Sequence, residues 1–356
     1  MKLVIATPLY PPEIGGPATY ARLLEQGLPA RGIEVELVKF SGVRHLPKLV
    51  RHYAYYRRVL SAGRNADIIL ALDPVSVGLP AMRAARKLGK KFVVKIVGDY
   101  AWEQGRQRFG VTQELDEFVR LRQPSWFVRR LQGVEKSVAM AADRIIVPSE
   151  YLKGIVVAWG VPAAKAEVIY NAMPIEAVGR IPQAVAQLPR PLIVTAGRLV
   201  PWKGIDGVID AVAMVPGASL AVIGEGPERS RLERRAREML PGRAVFTGAL
   251  AHPEVLAAIQ SASAFVLNSS YEGLSHLLIE ALMVGAPIVA TRVGGNPEVI
   301  RAHEDGMLVP HDDAAALRAA LAEALARGRR TTPPVSVRRF SEASMLDATA
   351  ASLKAL

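Results

Sequence analysis

The chain has 356 residues, of which 50% are hydrophobic, and a formal net charge of +12 at pH 7. Its length predicts two domains of ordinary size. The absence of cysteine excludes disulfides and thiolate metal sites, and it fits a reducing compartment. The positive charge favours an anionic partner, such as a phosphorylated substrate, an acidic membrane surface or nucleic acid.

The chain opens with MKLVIATPLYPP, which is a poor signal peptide because its apolar stretch is short and leads into Pro11-Pro12-Glu13. No stretch reaches the roughly 18 apolar residues that a membrane-spanning helix requires. We therefore expect a cytoplasmic protein, either free or bound peripherally to the inner face of the plasma membrane.

Short β-rich runs alternate with amphipathic runs of helical length along the whole chain. This alternation, with nearly continuous apolar strands, is typical of parallel sheets covered on both faces. Two series of strands predict an α/β protein with two doubly wound domains. The first series covers 2–7, 33–40, 67–72, 91–97 and 144–149, and the second covers 191–197, 218–224, 244–248, 263–269 and 286–291. The helical patterns include 17–31, 203–214, 226–239 and 275–284.

We predict an N-terminal domain over 1–172 and a C-terminal domain over 173–337. The proline-bearing stretch 176–191 has no strong period, and we interpret it as a linker. The last segment, 338–356, is predicted to be helical and to pack on either domain, with a return to the first expected. Ligands of open parallel sheets bind beyond the carboxyl ends of the strands, so we expect the active site between the two domains.

Gly15 and Gly16 follow the first predicted strand and precede a helix. Two glycines there let backbone N–H groups approach an anion at the positive end of the helix dipole. A tight turn that needs positive φ explains the pair equally well.

Two cations, Arg198 and Lys203, follow the strand at 191–197 in the loop GRLVPWKG. They are suited to flank a pyrophosphate, Arg198 through two parallel hydrogen bonds and Lys203 as a point charge. As an isolated pair they are also explained as solvated surface cations. The next strand leads into GEGPER, which begins like a dinucleotide fingerprint at Gly224 but has Arg229 in place of the third glycine. A turn that opens a helix is sufficient there.

The stretch YEGLSHLLIE, residues 271–280, places one carboxylate on each side of a helix start. Glu272 falls in the loop, and the N–H groups of 273–275 are available to an anion. Glu280 lies farther along the helix in an apolar run, where a carboxylate without a partner is costly. A carboxylate there can accept two hydrogen bonds from a ribose diol, and Glu272 can do the same for a hexose. The alternative is that both acids are structural.

Together these residues resemble the retaining nucleotide-sugar glycosyltransferases of family 4, which have the GT-B fold. The resemblance covers nearly the whole chain, and Ala172 replaces one glycine of the family pattern. It implies two Rossmann-like domains facing a cleft. The motifs in chain order are YPPEIGG, PSEYLK, VIYNAM, GRLVPWKG, the Glu272–Glu280 pair and VGGNPEVI.

The resemblance implies a division of roles. Arg198 and Lys203 bind the donor pyrophosphate and stabilise the departing nucleotide. Glu280 binds ribose, and Glu272 holds the donor sugar with the backbone of the residues that follow it. The positions expected to bind the donor are Gly15, Gly16, Gly224, Gly273, Leu274, Ser275, Leu277 and Glu280.

Many family members have a histidine after the fourth strand of the first domain, where this chain has Val97-Gly98-Asp99. Asp99 is the candidate to touch the donor sugar or the acceptor, or to offset positive charge at the reacting carbon. No Asp-x-Asp occurs, so we expect no metal and no cofactor. The expected donor is a UDP- or GDP-hexose, and the leaving phosphate itself is expected to take the acceptor proton.

Two stretches, 42–60 and 118–132, interleave basic and aromatic residues. They suit an anionic membrane surface, which agrees with a lipid-linked acceptor, and they are equally explained as solvated helices. No nucleic-acid module is recognised, so we expect no nucleic acid partner.

We predict a retaining glycosyltransferase that moves a hexose to a hydroxyl acceptor in the synthesis of cell-envelope glycan, polysaccharide or glycolipid. The alternatives are a dinucleotide-dependent oxidoreductase and a catalytically silent module that binds membrane surfaces.

Overall fold

The computed structural model describes residues 1–13, 15–173 and 177–356, without the side chains of residues 48 and 49. The described chain divides into two compact units. The first comprises Met1–Ala172 with Arg339–Leu356, and the second comprises Met173–Arg338. Each unit has a six-stranded sheet of its own.

The first sheet is parallel throughout, with the strand order β2-β1-β3-β4-β5-β6. Its strands are β1 Lys2–Thr7, β2 Glu34–Lys39, β3 Ile68–Ala71, β4 Lys91–Lys95, β5 Arg144–Val147 and β6 Ala166–Val168. Its helices are α1 Gly16–Gly27, α2 Lys48–Gly63, α3 Leu79–Leu88, α4 Tyr100–Arg108, α5 Leu115–Phe118, α6 Trp126–Ala141 and α7 Glu150–Ala158.

The second sheet is also parallel, with the order β12-β11-β10-β7-β8-β9. Its strands are β7 Leu192–Ala196, β8 Ser219–Ile223, β9 Ala244–Gly248, β10 Ala264–Leu267, β11 Ile288–Thr291 and β12 Met307–Val309. Its helices are α8 Gln183–Ala186, α9 Ile205–Ala213, α10 Arg229–Met239, α11 His252–Ser261, α12 His276–Met283, α13 Asn296–Val299 and α14 Ala314–Arg327.

The last helix, α15 Glu342–Lys354, belongs to the first unit. Its apolar face, which includes Met345, Leu346 and Leu353, joins the core formed by β1 and α1. Leu346 fills the space above Gly27, where an added Cβ would lie 2.2 Å from a Leu346 methyl carbon. The small residue on α1 therefore allows the two helices to approach closely.

All ten predicted strands are present, and the structure adds β6 and β12. Each added strand has only three residues, too few for a periodic signal. The predicted helix over 17–31 ends earlier because Pro29 begins a separate 3-10 turn. The linker prediction is wrong where the structure describes it. Gly179 donates to Pro253 O at 2.9 Å and Val185 is buried, so this segment is part of the second unit, while Glu176 lies outside the described residues.

Each sheet reverses its direction of winding at one place. In the first sheet the reversal falls between β1 and β3, and in the second it falls between β7 and β10. A crevice forms at such a point because the loops that follow the two strands leave in opposite directions. In the second unit these are the loops that contain Arg198, Lys203 and Glu272.

Candidate active site

The reversal point of the second sheet brings Lys203 and Glu272 together. Lys203 Nζ lies 2.5 Å from Glu272 Oε1, and Ser269 Oγ donates to the same oxygen at 2.7 Å. The two charged side chains are largely buried, at 18% and 12% exposure. This acid and cation, 69 residues apart in sequence, therefore form one polar centre at the carboxyl edge of the sheet.

Gly204 and Asn268 hold the two loops in register. Gly204 has φ +59°, the left-handed conformation, and an added Cβ would lie 2.2 Å from Asn268 O. The Asn268 amide donates to Gly204 O at 2.9 Å. Only glycine fits this position, because the backbone needs positive φ and the neighbouring loop leaves no space.

Gly224 has a packing role that the sequence did not reveal. An added Cβ would lie 1.9 Å from Gly197 O, and φ is +132°. Leu199 N donates to Glu225 O at 2.9 Å, so the loop after β8 supports the loop that carries Arg198. The resemblance to a dinucleotide fingerprint thus reflects two loops packed backbone to backbone.

The loop after β11 supports Glu272 in the same way. An added Cβ on Gly294 would lie 1.9 Å from Glu272 O, and Gly295 N donates to that oxygen at 2.9 Å. The motif VGGNPEVI therefore contains the glycines that let one backbone lie directly on another. This contact fixes the main chain of Glu272.

The helix α12 starts immediately after this loop. Ser275 is its N-cap, and its hydroxyl accepts from Leu278 N at 3.3 Å. Gly273 and Leu274 come between Glu272 and this cap, and Leu277 lies in the first turn. The positive end of the α12 dipole therefore faces the loop that contains Glu272.

Glu280 is buried and has a partner that sequence reasoning missed. Its side chain is 8% exposed, and Oε1 lies 2.8 Å from His252 Nε2. His252 is the first residue of α11. No sequence pattern indicates the pair, because the two residues are 28 positions apart on different helices. The contact explains how a carboxylate is tolerated in an apolar run.

Arg198 is exposed, and its guanidinium has no hydrogen bond or ion pair with any other residue that the structure describes. It therefore differs from Lys203, whose charge is neutralised by Glu272. One cation of the predicted pair is free to meet an anion directly, while the other is already held.

Gly15 and Gly16 begin α1, as predicted. Gly15 is the N-cap with φ +149°, and no side chain caps this end of the helix. The positive φ agrees with the interpretation as a turn, and the uncapped N–H groups agree with the interpretation as a phosphate loop.

Asp99 is turned into the first unit. It is 1% exposed and accepts hydrogen bonds from Trp102 N at 2.7 Å and from Trp159 Nε1 at 3.2 Å. It therefore caps α4. The carboxylate is thus engaged inside the protein. Its predicted contact with the donor or the acceptor stays a prediction.

Glu135 is a second buried carboxylate at the same end of α4. It accepts from Tyr100 N at 2.7 Å and from Ala101 N at 3.2 Å. Burial raises the pKa of Asp99 to about 6, and burial together with the charge of Asp99 raises the pKa of Glu135 well above its ordinary value. Sequence reasoning did not select Glu135, because an acid on a helix has no distinguishing pattern.

Lys95, the last residue of β4, is also buried. Its Nζ has no hydrogen-bond partner within the described ranges and lies 4.2 Å from the centroid of the Tyr20 ring. Burial lowers the pKa of Lys95 to about 7. The first unit thus buries ionisable groups beneath the carboxyl edge of its sheet, whereas the second unit presents such groups at the carboxyl edge of its own sheet.

Within the part of the chain that the structure describes, no group of three or more His, Asp or Glu side chains is placed to hold a metal ion. None of the helices in those residues has the length and apolar character needed to cross a membrane.

Two family models match almost the whole chain. Residues 181–335 match "Glycosyl transferases group 1", and residues 14–177 match "Glycosyltransferase Family 4". Among curated proteins, the sulfoquinovosyl transferase SQD2 of Arabidopsis thaliana is 30% identical over 51% of this chain and 37% of its own length. A GDP-mannose-dependent alpha-mannosyltransferase of Mycobacterium tuberculosis is 26% identical over 70% of this chain and 61% of its own length. The chain thus spans less than two thirds of either relative.

Among solved structures, Anabaena HepE in complex with UDP-glucose matches with a TM-score of 0.74 and 18% identity, over 100% of both chains. This match establishes the GT-B fold, which agrees with two parallel six-stranded sheets. The order of the motifs, the fold and the two family models lead to one conclusion: the chain belongs to glycosyltransferase family 4.

Proposed function

We propose that the protein transfers a hexose from a UDP- or GDP-sugar to a hydroxyl acceptor with retention of configuration and without a metal. The observation that carries this proposal is the pairing of Lys203 with Glu272 at the reversal point of the second sheet. A fixed cation and a fixed acid at one edge suit a ligand that has both a diphosphate and sugar hydroxyls.

Arg198 and Lys203 bind the pyrophosphate. They stabilise the charge that develops on the nucleoside diphosphate as the bond to the sugar breaks. Lys203 is desolvated in advance by its contact with Glu272, so it requires little reorganisation when phosphate arrives. The departing phosphate takes the proton of the acceptor hydroxyl, so no side chain is required as a general base.

Glu272 accepts hydrogen bonds from hydroxyls of the donor sugar, and the backbone from Gly273 to Leu277 completes that pocket. Its Oε1 is shared by Lys203 and Ser269. Glu280 binds the ribose, and its contact with His252 holds the carboxylate in one orientation. Gly15 and Gly16 approach the donor phosphate or the acceptor, and Gly224 contributes by supporting the loop that carries Arg198.

Asp99 has a positioning role in this proposal, because its carboxylate caps α4 next to the loop at 97–99. The main chain of that loop then faces the reacting sugar in place of the family's histidine.

The relatives support a nucleotide-sugar donor but differ in the base. The HepE complexes contain UDP or UDP-glucose, and the mycobacterial relative is named for GDP-mannose. The relatives named for lipopolysaccharide core synthesis support an acceptor in the cell envelope or a glycolipid. A lipid-linked hydroxyl is the acceptor class that we propose.

A thermal-shift screen with UDP, GDP and NAD, followed by NMR of the product, tests the proposal. We expect stabilisation by one nucleoside diphosphate and full activity in EDTA. The product linkage should have the same anomeric configuration as the donor sugar. Stabilisation by NAD alone indicates an oxidoreductase. Vesicle binding without donor hydrolysis indicates a silent membrane module. Either result would overturn the proposal.

A further inference from the structure

The structure leaves three aromatic rings exposed together on the first unit. Phe109 stacks on Phe127 with centroids 5.7 Å apart, and Trp126 meets Phe127 edge-on at 5.0 Å. Their exposed fractions are 39% for Phe109, 57% for Phe127 and 56% for Trp126. A group of touching rings is normally buried, so an exposed group of this kind indicates a binding surface.

A turn that precedes α6 exposes another apolar side chain. Leu121 in that turn is 47% exposed. Arg129 of α6 donates to the carbonyl oxygens of Gln123 and Pro124, at 2.9 and 2.7 Å, and so fastens the turn to the first residues of α6. We call Phe109, Leu121, Trp126 and Phe127 the aromatic surface.

Arginines lie next to members of the aromatic surface. Arg130 lies over the Trp126 ring at 5.6 Å, and Arg108, Arg120 and Arg122 are exposed beside its members in the chain. The stretch 118–132 contains four arginines and no acid. Glu114, Asp116 and Glu117 lie just before it, but Glu114 pairs with Arg106 and Asp116 accepts from Tyr151. The apolar centre thus has a cationic rim.

The topology places this surface at the functional end of the first unit. The helix α6 leads into β5, and β4 and β5 are parallel, so α6 runs back along the sheet from the carboxyl edge. Trp126 and Phe127 are its first two residues and therefore lie at that edge. The helix α1, which starts at Gly16 after β1, begins at the same edge.

We infer that the aromatic surface docks on an anionic lipid bilayer. Tryptophan and phenylalanine enter the interface between headgroups and acyl chains, while arginines bind lipid phosphates. Charge complementarity favours this partner over a neutral glycan, which would need acids and amides around the rings. Docking requires no donor, so it is independent of the proposed sugar transfer. If both hold, the carboxyl edge of the first unit faces a lipid-linked acceptor.

The first basic stretch provides a matched comparison. On α2, Val50 and Tyr53 are as exposed, at 52% and 62%, but Tyr55 is buried and donates to Val38 O. Tyr53 touches the partly buried Tyr56 at 6.1 Å, while His52 and Tyr55 contact Phe40, which is buried. We therefore assign docking to α6 and its neighbours and use α2 as the control.

Vesicle flotation tests the inference with phosphatidylcholine vesicles, either pure or mixed with phosphatidylglycerol. We expect the full-length protein to bind only the mixed vesicles, and less in high salt. The double variant Trp126→Ala/Phe127→Ala is expected to lose at least about tenfold in partitioning. Charge reversal by Arg120→Glu/Arg122→Glu is expected to lose more than about tenfold, since each basic residue contributes roughly fivefold. Val50→Ala/Tyr53→Ala is expected to stay within about twofold of the original.

Equal binding to neutral vesicles, or undiminished binding by the Trp126/Phe127 variant, would overturn the inference. So would loss of binding by the α2 control to the same extent. Displacement from vesicles by a single-stranded oligonucleotide, with tighter binding to it, would assign the surface to nucleic acid instead. Thermal shifts with nucleoside diphosphates should be the same in all these variants, so failure of docking leaves the proposed transfer intact.

Discussion

The carboxyl edges of the two sheets are built in different ways. In the second unit, four loops pack backbone to backbone through glycines, and charged side chains are presented at the edge. In the first unit, two acids near the edge, Asp99 and Glu135, are turned inward and both cap α4. The second edge therefore presents charged side chains on tightly packed loops, whereas the first edge exposes aromatic rings and arginines above buried acids. This difference agrees with the proposed division between donor binding by the second unit and contact with lipid by the first.

The largest effect is expected from Lys203→Ala. Removing the cation leaves Glu272 unneutralised and takes one stabilising charge from the leaving group, so turnover should fall roughly 10²- to 10³-fold. Initial rates with the donor found in the screen measure this. Arg234→Ala is the matched control, because Arg234 is an exposed cation in the middle of α10 and not in a loop of the site. A comparable loss of turnover in both variants would contradict a specific role for Lys203 at this edge.

Gly224→Ala tests whether backbone packing preorganises the second edge. The new Cβ would lie 1.9 Å from Gly197 O, so the loops must separate and the free energy of unfolding should fall by about 3 kcal/mol. Urea unfolding measures the change. In the first unit, Gly154 lies on α7 with open space around it, and Gly154→Ala should be stabilising by about 0.5–1 kcal/mol. Equal stability of the Gly224 variant and the original protein would contradict the packing argument.

Lys95→Met tests how much the buried charge of Lys95 destabilises the first unit. Burial lowers the pKa of Lys95 to about 7, so below pH 7 the folded protein carries a desolvated charge that the unfolded chain keeps in water. The variant should be more stable by about 2 kcal/mol at pH 6. The gain in stability should shrink as the pH rises from 7 towards 10.5. In this range the lysine loses its proton on folding, and the cost of that loss falls as the pH approaches the pKa of the unfolded lysine. Unfolding curves at several pH values measure it.

The control for this variant is Lys87→Met on α3, where the lysine is exposed. Its stability difference should be small and should not vary between pH 6 and pH 9. A pH-independent gain from Lys95→Met would show that packing, not charge, accounts for the difference.

The smallest effect is expected from His252→Ala. The imidazole holds Glu280 at 2.8 Å, so its loss should raise the KM for the donor roughly tenfold and leave kcat nearly unchanged. His252→Gln can place an amide near the position of Nε2 and should restore much of the affinity. Failure of glutamine to restore it, or a fall in kcat alone, would refute a role for His252 in positioning Glu280.

The predicted site in the second unit was nearer to the observed geometry than that in the first. Lys203 and Glu272 each follow a strand, and parallel strands end at one edge, so the sequence predicts their proximity. Asp99 also follows a strand, but the direction of its side chain depends on Trp102 and Trp159, which no local pattern specifies. Its expected contact with a ligand stays a prediction, and the structure adds a role as the N-cap of α4.

Local patterns in the sequence specify the alternation of strands and helices, the two sheets and the loops on which the candidate residues lie. These features follow from local hydrophobic period and from glycines at strand ends, which act over a few residues. Only the folded protein reveals the contact of His252 with Glu280, the support of Glu272 by Gly294 and the stacking of Phe109 on Phe127. Each of these contacts joins residues that are distant in sequence and depends on how strands, helices and loops pack. A local sequence pattern does not specify that packing.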